Sequence, residues 1–576
     1  MAEGSAPSSD AQVAVVGAGP VGLTLAGRLA QHGVRTLLLE QTPEHRAEGS
    51  RALCMQRETL EIWERLGIGQ RVADRGVQWN VGRTYFRDRE LFSVQLPGRE
   101  GDHFPAFVNV SQTEVEELLI RRLAELPNVE LRWGHRVTGI AQDAAGVSVR
   151  CETPRGERTF RVDYLVGTDG AHSSVRHLLG MGFPGHSHED LFLICDIRAD
   201  LPFPRERRFF FDPPWNPGRQ VLVHPQPDGA WRIDWQVPPG TDAEAERANG
   251  GLDRRIRAVV GDVPYELLWM TVYRFHQRLV ERFRIGRVLL AGDAAHLMSP
   301  FGARGLNSGA ADAENLAWKL ALVLAGRAPD ALLESYHHER RAAALENLAI
   351  TDATMRFMVP HDPLRRAWRN LVLRGSVRFG FLRRRVNSGR LAQPFAYARS
   401  PVVQPGPDDP RLPVHGDVAP DAACRPADGA TDVPRPVRRL RDLLGDRFVA
   451  LLVSGEQPEL ATRAAVRAVR LAWPAPVRIA VVGAGKCPAD VVVLDDSSGE
   501  IARLYAPAGP RAWLIRPDGH LAGSLPLPGK EAVDELPTLQ ARAIGATAAT
   551  AGAERVPELP GRRRAASGHG AGNVTQ

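Results

Sequence analysis

The fold is decided by residues 13–22, VAVVGAGPVG, where a buried-strand pattern runs straight into the spacing Gly-x-Gly-x-x-Gly. Gly17 allows the tight turn after the strand, Gly19 lets backbone amides approach a pyrophosphate, and Gly22 lets the next helix pack closely. The N-terminus of that helix adds partial positive charge, which favours phosphate. A second strand pattern ends at Glu40, where an acidic residue would bind a ribose hydroxyl. Together these elements predict a dinucleotide-binding domain.

A second glycine–acid turn lies far along the chain, in GDAAH at residues 292–296, directly after the apolar strand pattern 287–291. Between the two turns, a third apolar strand ends in Asp169 and Gly170 and runs into a helix start. A nicotinamide dehydrogenase needs only the first turn. A protein that binds FAD along its whole length needs the turn at 292–296 as well, because the adenosine and the isoalloxazine ring lie far apart. The turn at Asp169, taken alone, is also a common strand–turn–helix connection. The three turns in series therefore favour FAD.

Composition limits the class of protein. With 43% hydrophobic and 24% charged residues, the chain is an ordinary globular protein, and its 576 residues predict about three domains. The net charge of +6 is small for this length. We interpret the arginine cluster over 365–385 as a solvated helix face and not as a nucleic-acid surface.

Targeting and metal signals are missing from the sequence. There is no basic and apolar leader, no run of about 18 apolar residues, and no cysteine pair at metal or redox spacing. We therefore expect a cytoplasmic protein that has no metal site and binds neither nucleic acid nor a membrane.

Changes in periodicity predict the domain organisation. Strand and helix patterns alternate at first, give way to short strands separated by turns, and then return. A Pro-, Asp- and Gly-rich stretch precedes a further α/β pattern. The predicted parts are a first nucleotide-binding part at 11–185, an inserted β-sheet domain at 186–280, a second nucleotide-binding part with helices at 281–400, a linker at 401–436, a third α/β unit at 437–546 and a disordered tail at 547–576.

The order of these motifs resembles the single-component FAD-dependent aromatic hydroxylases, the para-hydroxybenzoate hydroxylase class. The resemblance rests on GDAAHLMSPFGARGLNSG at residues 292–309 and on DAENLAWKL at residues 312–320. Within the class, residues 51–63 most resemble the 3-(3-hydroxyphenyl)propionate hydroxylases and related phenol hydroxylases. The similarity extends over about residues 11–540.

The resemblance implies the fold. It predicts an α/β protein in which a Rossmann-like FAD-binding domain carries an inserted β-sheet substrate domain and is followed by a C-terminal thioredoxin-like domain. Thioredoxin chemistry needs Cys-x-x-Cys after the first strand, but residues 454–457 read Ser-Gly-Glu-Gln. We therefore expect this unit to serve structure or assembly.

The resemblance also implies roles for single residues. Glu40 would bind the adenosine ribose, Asp293 the ribityl hydroxyls, and Asp169 both FAD and transient NAD(P)H. Arg51 would contact the pyrophosphate and Gln112 the ribityl chain, although a surface arginine and a helix-cap residue are the plain alternatives. The predicted cofactor-binding residues are Gly17, Gly19, Pro20, Val21, Gly22, Glu40, Gln41, Arg51, Gln112, Val137, Asp169, Gly170, Gly292, Asp293 and Gly305.

The turn at 302–307 is predicted to matter most for the chemistry. Its amides and the following helix N-terminus would face the N1–C2=O edge of the flavin and stabilise the anionic reduced form. The Pro300 carbonyl would lie near the substrate hydroxyl, unless this proline only makes a turn. The predicted catalytic residues are Pro300, Gly302, Leu306 and Asn307.

Substrate contacts are expected from the inserted sheet. The candidates are His224, Trp235 and Tyr273, followed by His276, Arg205, Arg207 and Arg208, each with packing or solvation as the alternative. Some close relatives carry a histidine two positions after the arginine that corresponds to Arg51, whereas this chain has Leu53. The sequence therefore does not locate a base that activates the phenol.

The resemblance implies an FAD-dependent monooxygenase that hydroxylates a phenolic aromatic substrate with NADPH or NADH and O₂, through a flavin C4a-hydroperoxide. The expected partners are this small aromatic substrate and O₂, and a homodimer is left open. Two alternatives remain from different classes. One is a flavin-dependent dehydrogenase or halogenase on the same scaffold, and the other is a flavin-binding interaction protein without turnover.

Overall fold

The structure of this chain is a computed structural model. It describes residues 9–45, 52–96, 103–299, 302–360, 362–382, 393–407, 409–427, 437–454, 457–483, 486–527 and 533–546. Two predicted site residues, Arg51 and Pro300, lie outside the described residues, as does the predicted tail at 547–576.

The first sheet carries the dinucleotide motif. Its described strands are Ala11–Val16, Thr36–Leu39, Val129–Arg132, Arg136–Gln142, Val147–Thr153, Gly156–Gly167, Arg284–Ile285 and Val288–Leu290. Parallel neighbours follow one another in the order 288–290, 156–167, 11–16, 36–39 and 129–132. Carboxyl ends of parallel strands meet at one edge of a sheet. The turns at Gly17, Asp169 and Gly292 therefore become neighbours, although the sequence separates them widely.

The second sheet corresponds to the predicted insertion. Its described strands, in spatial order, are His296–Leu297, Tyr265–Leu279, Gly185–Ala199, Ala230–Val237, Gln220–Pro225, Arg207–Phe211, Val81–Phe86 and Arg89–Gln95. The last two strands come from the range predicted for the first nucleotide-binding part. They join this sheet because Val81–Phe86 pairs in parallel with Arg207–Phe211. Such distant pairing has no local sequence signal, and the predicted domain boundaries stay proposals.

Helices complete the nucleotide-binding part and the C-terminal unit. The described α-helices are Pro20–Gln31, Arg57–Arg65, Gly69–Arg75, Gln112–Ala124, Ser174–Leu178, Ala243–Ala248, Gly251–Val260, Gly305–Leu324, Leu332–Met358, Pro363–Ser376, Pro458–Val469, Glu500–Tyr505 and Leu536–Ala543, and the short 3₁₀ turns are Gly292–Ala294 and Leu440–Leu443. The helix Pro20–Gln31 contacts the helix Gly305–Leu324 through Val21, whose side chain lies between Gly292 and Gly309. A Cβ atom at Gly309 would lie 2.4 Å from the Val21 side chain, so this contact requires glycine.

The C-terminal unit has a sheet of its own. Its described strands, in spatial order, are Arg425–Pro426, Val491–Asp495, Val477–Val482, Phe448–Val453, Arg511–Ile515 and Leu521–Pro526, and the small sheet of the nucleotide-binding part has Cys54–Gln56, Phe107–Asn109 and Val77–Gln78. The strands at 448–453 and 477–482 are parallel neighbours, whereas 511–515 and 521–526 run antiparallel. This order and direction are those of a thioredoxin-like sheet, as predicted.

Buried charges dock the C-terminal unit on the long helices. Glu339 accepts hydrogen bonds from Arg516 at 2.6 Å and from Lys319 at 2.7 Å, and all three side chains are 0% exposed. Arg516 also pairs with Asp518 at 2.5 Å. Buried ion pairs are strongly destabilising to break because the remaining charge has no water. The interface is therefore a permanent part of the fold.

The described residues of the predicted linker at 401–436 pack against the protein. Val402, Val403 and Cys424 are buried, and Arg425–Pro426 pairs with Val491–Asp495. The Pro- and Gly-rich composition indicated an irregular backbone, which is what forms. It did not indicate that scattered apolar residues would anchor this backbone on the C-terminal sheet.

Candidate active site

A cavity of about 760 Å³ lies where the first sheet, the second sheet and the helix Gly305–Leu324 meet. The predicted site residues that line it are Gly17, Gly19, Pro20, Val21, Glu40, Gln41, Gln112, Val137, Asp169, Gly170, His224, Tyr273, Asp293, Gly305, Leu306 and Asn307. Residues from both glycine–acid turns and from the inserted sheet thus share one space. Gly22 and Gly292 lie behind the wall in close helix contacts, and Gly302 precedes the lining residue Ala303.

Trp235 lies away from the cavity, on the opposite face of the second sheet. Its neighbour Asp234 lines the cavity, and successive residues of a strand face opposite sides. Trp235 packs instead in the core with Ile197 and Val223. Its aromatic character suggested a substrate contact that the alternation of the strand excludes, so we leave Trp235 out of the proposed site. The cavity wall also lacks the further candidates His276, Arg205, Arg207 and Arg208.

Gly17 and Gly22 form the cradle expected for a pyrophosphate. Gly17 has a φ of +102°, and a Cβ atom there would lie 2.8 Å from the Cα of Asp169. A Cβ atom at Gly22 would lie 1.9 Å from the carbonyl oxygen of Gly17. At Gly19, by contrast, nothing lies within 4 Å of that position. The helix start therefore faces space that no side chain fills, which fits a dinucleotide phosphate.

Glu40 holds the same turn from the neighbouring strand. One carboxylate oxygen accepts a hydrogen bond from the Ala18 N–H at 2.8 Å, and the other accepts one from the Thr42 N–H at 2.9 Å. A carboxylate oxygen can accept a second hydrogen bond. Glu40 therefore orders the glycine turn and keeps acceptor capacity for ribose hydroxyls at the cavity wall.

Asp169 caps the short helix that follows it. Its carboxylate accepts hydrogen bonds from the hydroxyls of Ser173 at 2.5 Å and Ser174 at 2.9 Å, and from the Val175 N–H at 3.1 Å. If Asp169 also contacts a cofactor, it does so with a carboxylate that already accepts hydrogen bonds from the start of its own helix.

Gln112 joins two segments at the cavity wall. Its Oε1 accepts a hydrogen bond from the Ala52 N–H at 3.2 Å, and its Nε2 donates to Glu116 at 2.9 Å. Glu116 also lies 3.0 Å from the ring of His45. The side chain thus anchors the start of its helix to the strand region, a structural role that adds to the predicted flavin contact.

The turn before the long helix has an unusual backbone. Gly302 has a φ of +92° and Ala303 a φ of +53°, a left-handed conformation that costs a non-glycine residue about 1–3 kcal/mol. Asn307 holds this turn in place by donating to the carbonyls of Ala303 at 2.6 Å and Cys54 at 3.0 Å. Its Oδ1 accepts the Gln56 N–H at 2.9 Å. The Asn307 side chain therefore shapes the cavity wall and is itself fully engaged.

The helix Gly305–Leu324 begins at the cavity wall. Gly305 and Leu306 line the cavity, and the first helical turn carries no acidic residue. The first N–H groups of a helix have no carbonyl partner within it, and together they carry roughly half a positive charge. This part of the cavity therefore favours negative charge on a group that binds against it.

A buried ion network lies directly behind the Gly-Asp turn. Asp312 accepts a hydrogen bond from the Gly292 N–H at 2.9 Å, lies 2.8 Å from His296 Nε2, and pairs with Arg340 at 2.6 Å. Burial disfavours the charge of Asp312, but Arg340 and His296 outweigh it and lower the pKa of this carboxyl. Sequence analysis gave Asp312 no role, although a charge amid small and apolar helix residues was a signal.

The second sheet forms the wall opposite the helix. His224 and Tyr273 line it, together with Asp234, which sequence analysis missed. Burial lowers the pKa of His224 well below its ordinary value, and Arg207 and Arg232 act in the same direction. The imidazole is therefore neutral at physiological pH. A carboxylate between Ile233 and Trp235 in the strand Ala230–Val237 was the signal for Asp234.

Comparison with known proteins decides the family. The model of the FAD binding domain family matches residues 10–351, which is more than half of the chain. The chain belongs to this family. The FAD-binding domain therefore includes both glycine–acid turns, and the inserted sheet lies within its limits.

Proteins similar to this chain are named as hydroxylases or as a monooxygenase. The chain is 30% identical over 528 residues to a 3-(3-hydroxyphenyl)propionate/3-hydroxycinnamic acid hydroxylase of Mycolicibacterium smegmatis, covering 89% of this chain and 90% of that protein. It is similar in structure to aklavinone-11 hydroxylase bound to FAD and aklavinone, with a TM-score of 0.73, 26% identity, and coverage of 94% and 100%. It is also similar to p-nitrophenol 4-monooxygenase of Pseudomonas putida, with a TM-score of 0.58, 28% identity, and coverage of 66% and 98%.

These comparisons confirm the predicted fold class and the predicted enzyme class. The chain is an FAD-dependent flavoprotein monooxygenase of the aromatic hydroxylase type, and the dehydrogenase, halogenase and non-catalytic alternatives are less well supported. Among the described helices, none is long and apolar enough to cross a membrane.

Removing the carboxylate of Asp293 is expected to weaken FAD binding. Asp293 lines the cavity in the second glycine–acid turn. One hydrogen bond to a charged group contributes about 1.5–3 kcal/mol. Asp293→Ala should therefore bind FAD roughly ten- to a hundredfold more weakly by fluorescence titration, with the fold retained. Equal affinity in the variant and the parent would show that Asp293 only makes a turn.

Proposed function

We propose that this chain hydroxylates a phenolic ring with NAD(P)H and O₂ inside the cavity of about 760 Å³. The composition of that cavity carries the proposal. A glycine cradle and Glu40 line one part, where a dinucleotide fits, and the second sheet lines another with Phe192, Tyr273 and Phe275. Relatives named for hydroxyphenylpropionate and for p-nitrophenol support a phenolic substrate.

The proposed reaction balances in atoms and electrons. One phenol, one O₂, one NAD(P)H and one proton give one dihydroxylated product, one water and one NAD(P)⁺. When FAD is bound, it would accept the hydride from NAD(P)H and activate O₂. The residues of the chain bind and orient the ring, exclude water and set the charge around it.

The chain's own residues divide between the two ligands in this proposal. We assign cofactor contacts to Gly17, Gly19, Pro20, Val21, Glu40, Gln41, Gln112, Val137, Asp169, Gly170, Asp293 and Gly305, and substrate contacts to His224 and Tyr273. The N-terminus of the helix at Gly305 stabilises negative charge on the bound ring system. Asn307 acts as a positioning residue, because its side chain holds the turn that presents this helix.

The aromatic substrate is expected to accelerate reduction by NAD(P)H. A substrate that binds near the reducible ring can shift the ring's position toward the state that NAD(P)H reaches. A bias of about 3 kcal/mol changes a population by more than a hundredfold. We therefore expect at least a tenfold faster anaerobic reduction, followed by stopped flow, when the best phenol is present. The panel is 3-(3-hydroxyphenyl)propionate, 3-hydroxycinnamic acid, p-nitrophenol and aklavinone.

Both NADH and NADPH belong in this experiment, and product mass identifies the added oxygen. A product heavier by one oxygen atom, with matching NAD(P)H consumption, supports hydroxylation. Equal reduction rates with and without every phenol, together with no oxygenated product, would favour a dehydrogenase. Chlorinated product in the presence of chloride would favour a halogenase.

O₂ as the second substrate, a homodimer as the assembly and a cytoplasmic location belong to the same proposal. The location follows from the need for NAD(P)H, which the cytoplasm supplies. Oxygen uptake in step with NAD(P)H oxidation tests the first point. Light scattering on the purified protein tests the second.

A further inference from the structure

The second sheet places a row of polar side chains under the cavity. Strand register aligns His224 with Arg232 and Arg232 with Asp196 across three neighbouring strands. The next row on the same face aligns Leu222, Asp234 and Ile194. Asp234 therefore lies in the cavity wall between two apolar neighbours and beside a polar row.

The polar row is joined by hydrogen bonds, whereas the buried Oδ1 of Asp234 accepts none from the described residues. Arg232 binds both carboxylate oxygens of Asp196, from Nε and from a terminal nitrogen, each at 2.8 Å. Gln226 donates to the same carboxylate at 2.7 Å. In the described part of the chain, Asp234 Oδ1 is buried and has no hydrogen-bond partner. A buried acceptor without a donor is costly, so this site calls for a donor from a ligand.

The surroundings of Asp234 restrict that donor. The cavity wall near it holds Phe192, Ile194, Leu222 and Tyr273, which suit a flat apolar ring. A ring that also carries a hydroxyl group brings the missing O–H donor. A phenol therefore satisfies both the shape of the wall and the orphaned acceptor.

We propose that Asp234 is the base that accepts the proton of the phenolic hydroxyl during hydroxylation. This inference rests on the proposed function and names the group that sequence analysis did not locate. The O–H bond breaks, its proton moves to the Asp234 carboxylate, and its electron pair stays on the phenolic oxygen. That pair raises electron density at the ortho and para ring carbons. At one of these carbons the new C–O bond forms to one oxygen atom of O₂, while the O–O bond breaks and the other oxygen atom leaves as water with two electrons from NAD(P)H. The substituted carbon then loses its hydrogen as a proton, and Asp234 returns its proton to the phenolate oxygen.

The charges around Asp234 set the pH range in which its carboxylate can accept a proton. The charged and titratable groups that interact with it are Arg232 on its own strand, Asp196 and Cys195 on the neighbouring strand, Arg207 on the strand beyond, and Cys54 on the small sheet. Burial raises the pKa of Asp234 to about 7, while Arg232 and Arg207 oppose the rise and Asp196 adds to it. Only the ionised carboxylate can accept a proton. Proton acceptance therefore increases as the pH rises through about 7 and is lost below it.

Asp234→Asn tests the base in the flavin-loaded enzyme. With the panel phenol that gives the most product, we expect hydroxylation at pH 7 to fall at least a hundredfold, the scale of general base catalysis. NAD(P)H should then be consumed with peroxide release. The rise of hydroxylation with pH should disappear, while FAD content and the rate of flavin reduction stay unchanged. The same phenol with fluorine beside its hydroxyl is more acidic and should restore hydroxylation at least tenfold.

Asp228→Asn is the matched control, because Asp228 lies in the exposed turn of the same hairpin and pairs with Arg75 at the surface. It should match the parent. If Asp234→Asn keeps the pH profile and product yield of the parent, the base assignment is overturned. Weaker substrate binding with an unchanged pH profile also overturns it and leaves a binding role. Absence of oxygenated product from the parent enzyme with every panel phenol would instead contradict the proposed function.

Discussion

Replacing Gly19 with tryptophan is expected to give a folded but colourless protein. The backbone at Gly19 has no atom within 4 Å of a Cβ position, so an indole enters open space without displacing the protein. That space lies at the start of the helix Pro20–Gln31, where the pyrophosphate is expected. We expect FAD affinity to fall at least a thousandfold, or about 4 kcal/mol. Flavin absorbance per mole of purified protein measures the loss.

Gly406→Trp is the control for this substitution. Gly406 is exposed and also has open space at its Cβ position, but it does not line the cavity. This variant should retain full flavin occupancy. Full occupancy in Gly19→Trp as well would remove the basis for placing the pyrophosphate at the first glycine turn.

Replacing Glu339 with glutamine is expected to destabilise the protein by about 3–5 kcal/mol. Glu339 is 0% exposed and binds Lys319 and Arg516, so its loss leaves two buried cations with less compensation. Asp518 still pairs with Arg516 and accepts a hydrogen bond from the Trp318 N–H at 3.1 Å, so only part of the buried ion network remains. Urea unfolding followed by tryptophan fluorescence measures the change. Earlier proteolysis between the C-terminal unit and the rest is expected in the same variant.

Glu334→Gln provides the comparison on the same helix. Glu334 pairs with the exposed Arg282 at 3.2 Å and, at 3.4 Å, with Arg284, which Asp330 also binds, and the Glu334 side chain itself is 40% exposed. Exposed pairs contribute about 0–1 kcal/mol, so this variant should unfold almost as the parent does. A loss of under 1 kcal/mol in Glu339→Gln would contradict the view that buried charge holds the C-terminal unit in place.

Local sequence patterns predicted the elements of the site well where one backbone shape is obligatory. The turn at Gly17 needs a left-handed φ and the contact at Gly22 needs a missing side chain, so glycine there leaves a readable spacing. Glu40 was predicted to bind a ribose hydroxyl because of its position at the end of the second strand, and in the structure it lines the cavity.

Prediction was weakest on the second sheet, because its faces depend on distant pairing. Trp235 and Asp234 are adjacent, and only the position of the sheet relative to the cavity decides which of them faces a substrate. A shift of one residue in a strand reverses every side chain. The strands at 81–95 joined this sheet through a partner that no local pattern indicates.

The sequence by itself determined the dinucleotide turn and the two later glycine–acid turns, because each turn depends on residues close together in the chain, and the resemblance of these motifs to a known family indicated the enzyme class. Only the tertiary structure decided which residues share the cavity. It placed the Asn307 side chain in hydrogen bonds within the turn and joined Glu339 to Arg516 of the C-terminal unit. It also left Asp234 Oδ1 without a hydrogen-bond partner among the described residues. The physical reason is that burial and pairing are properties of neighbours in space, and those neighbours come from strands and helices far apart in the chain.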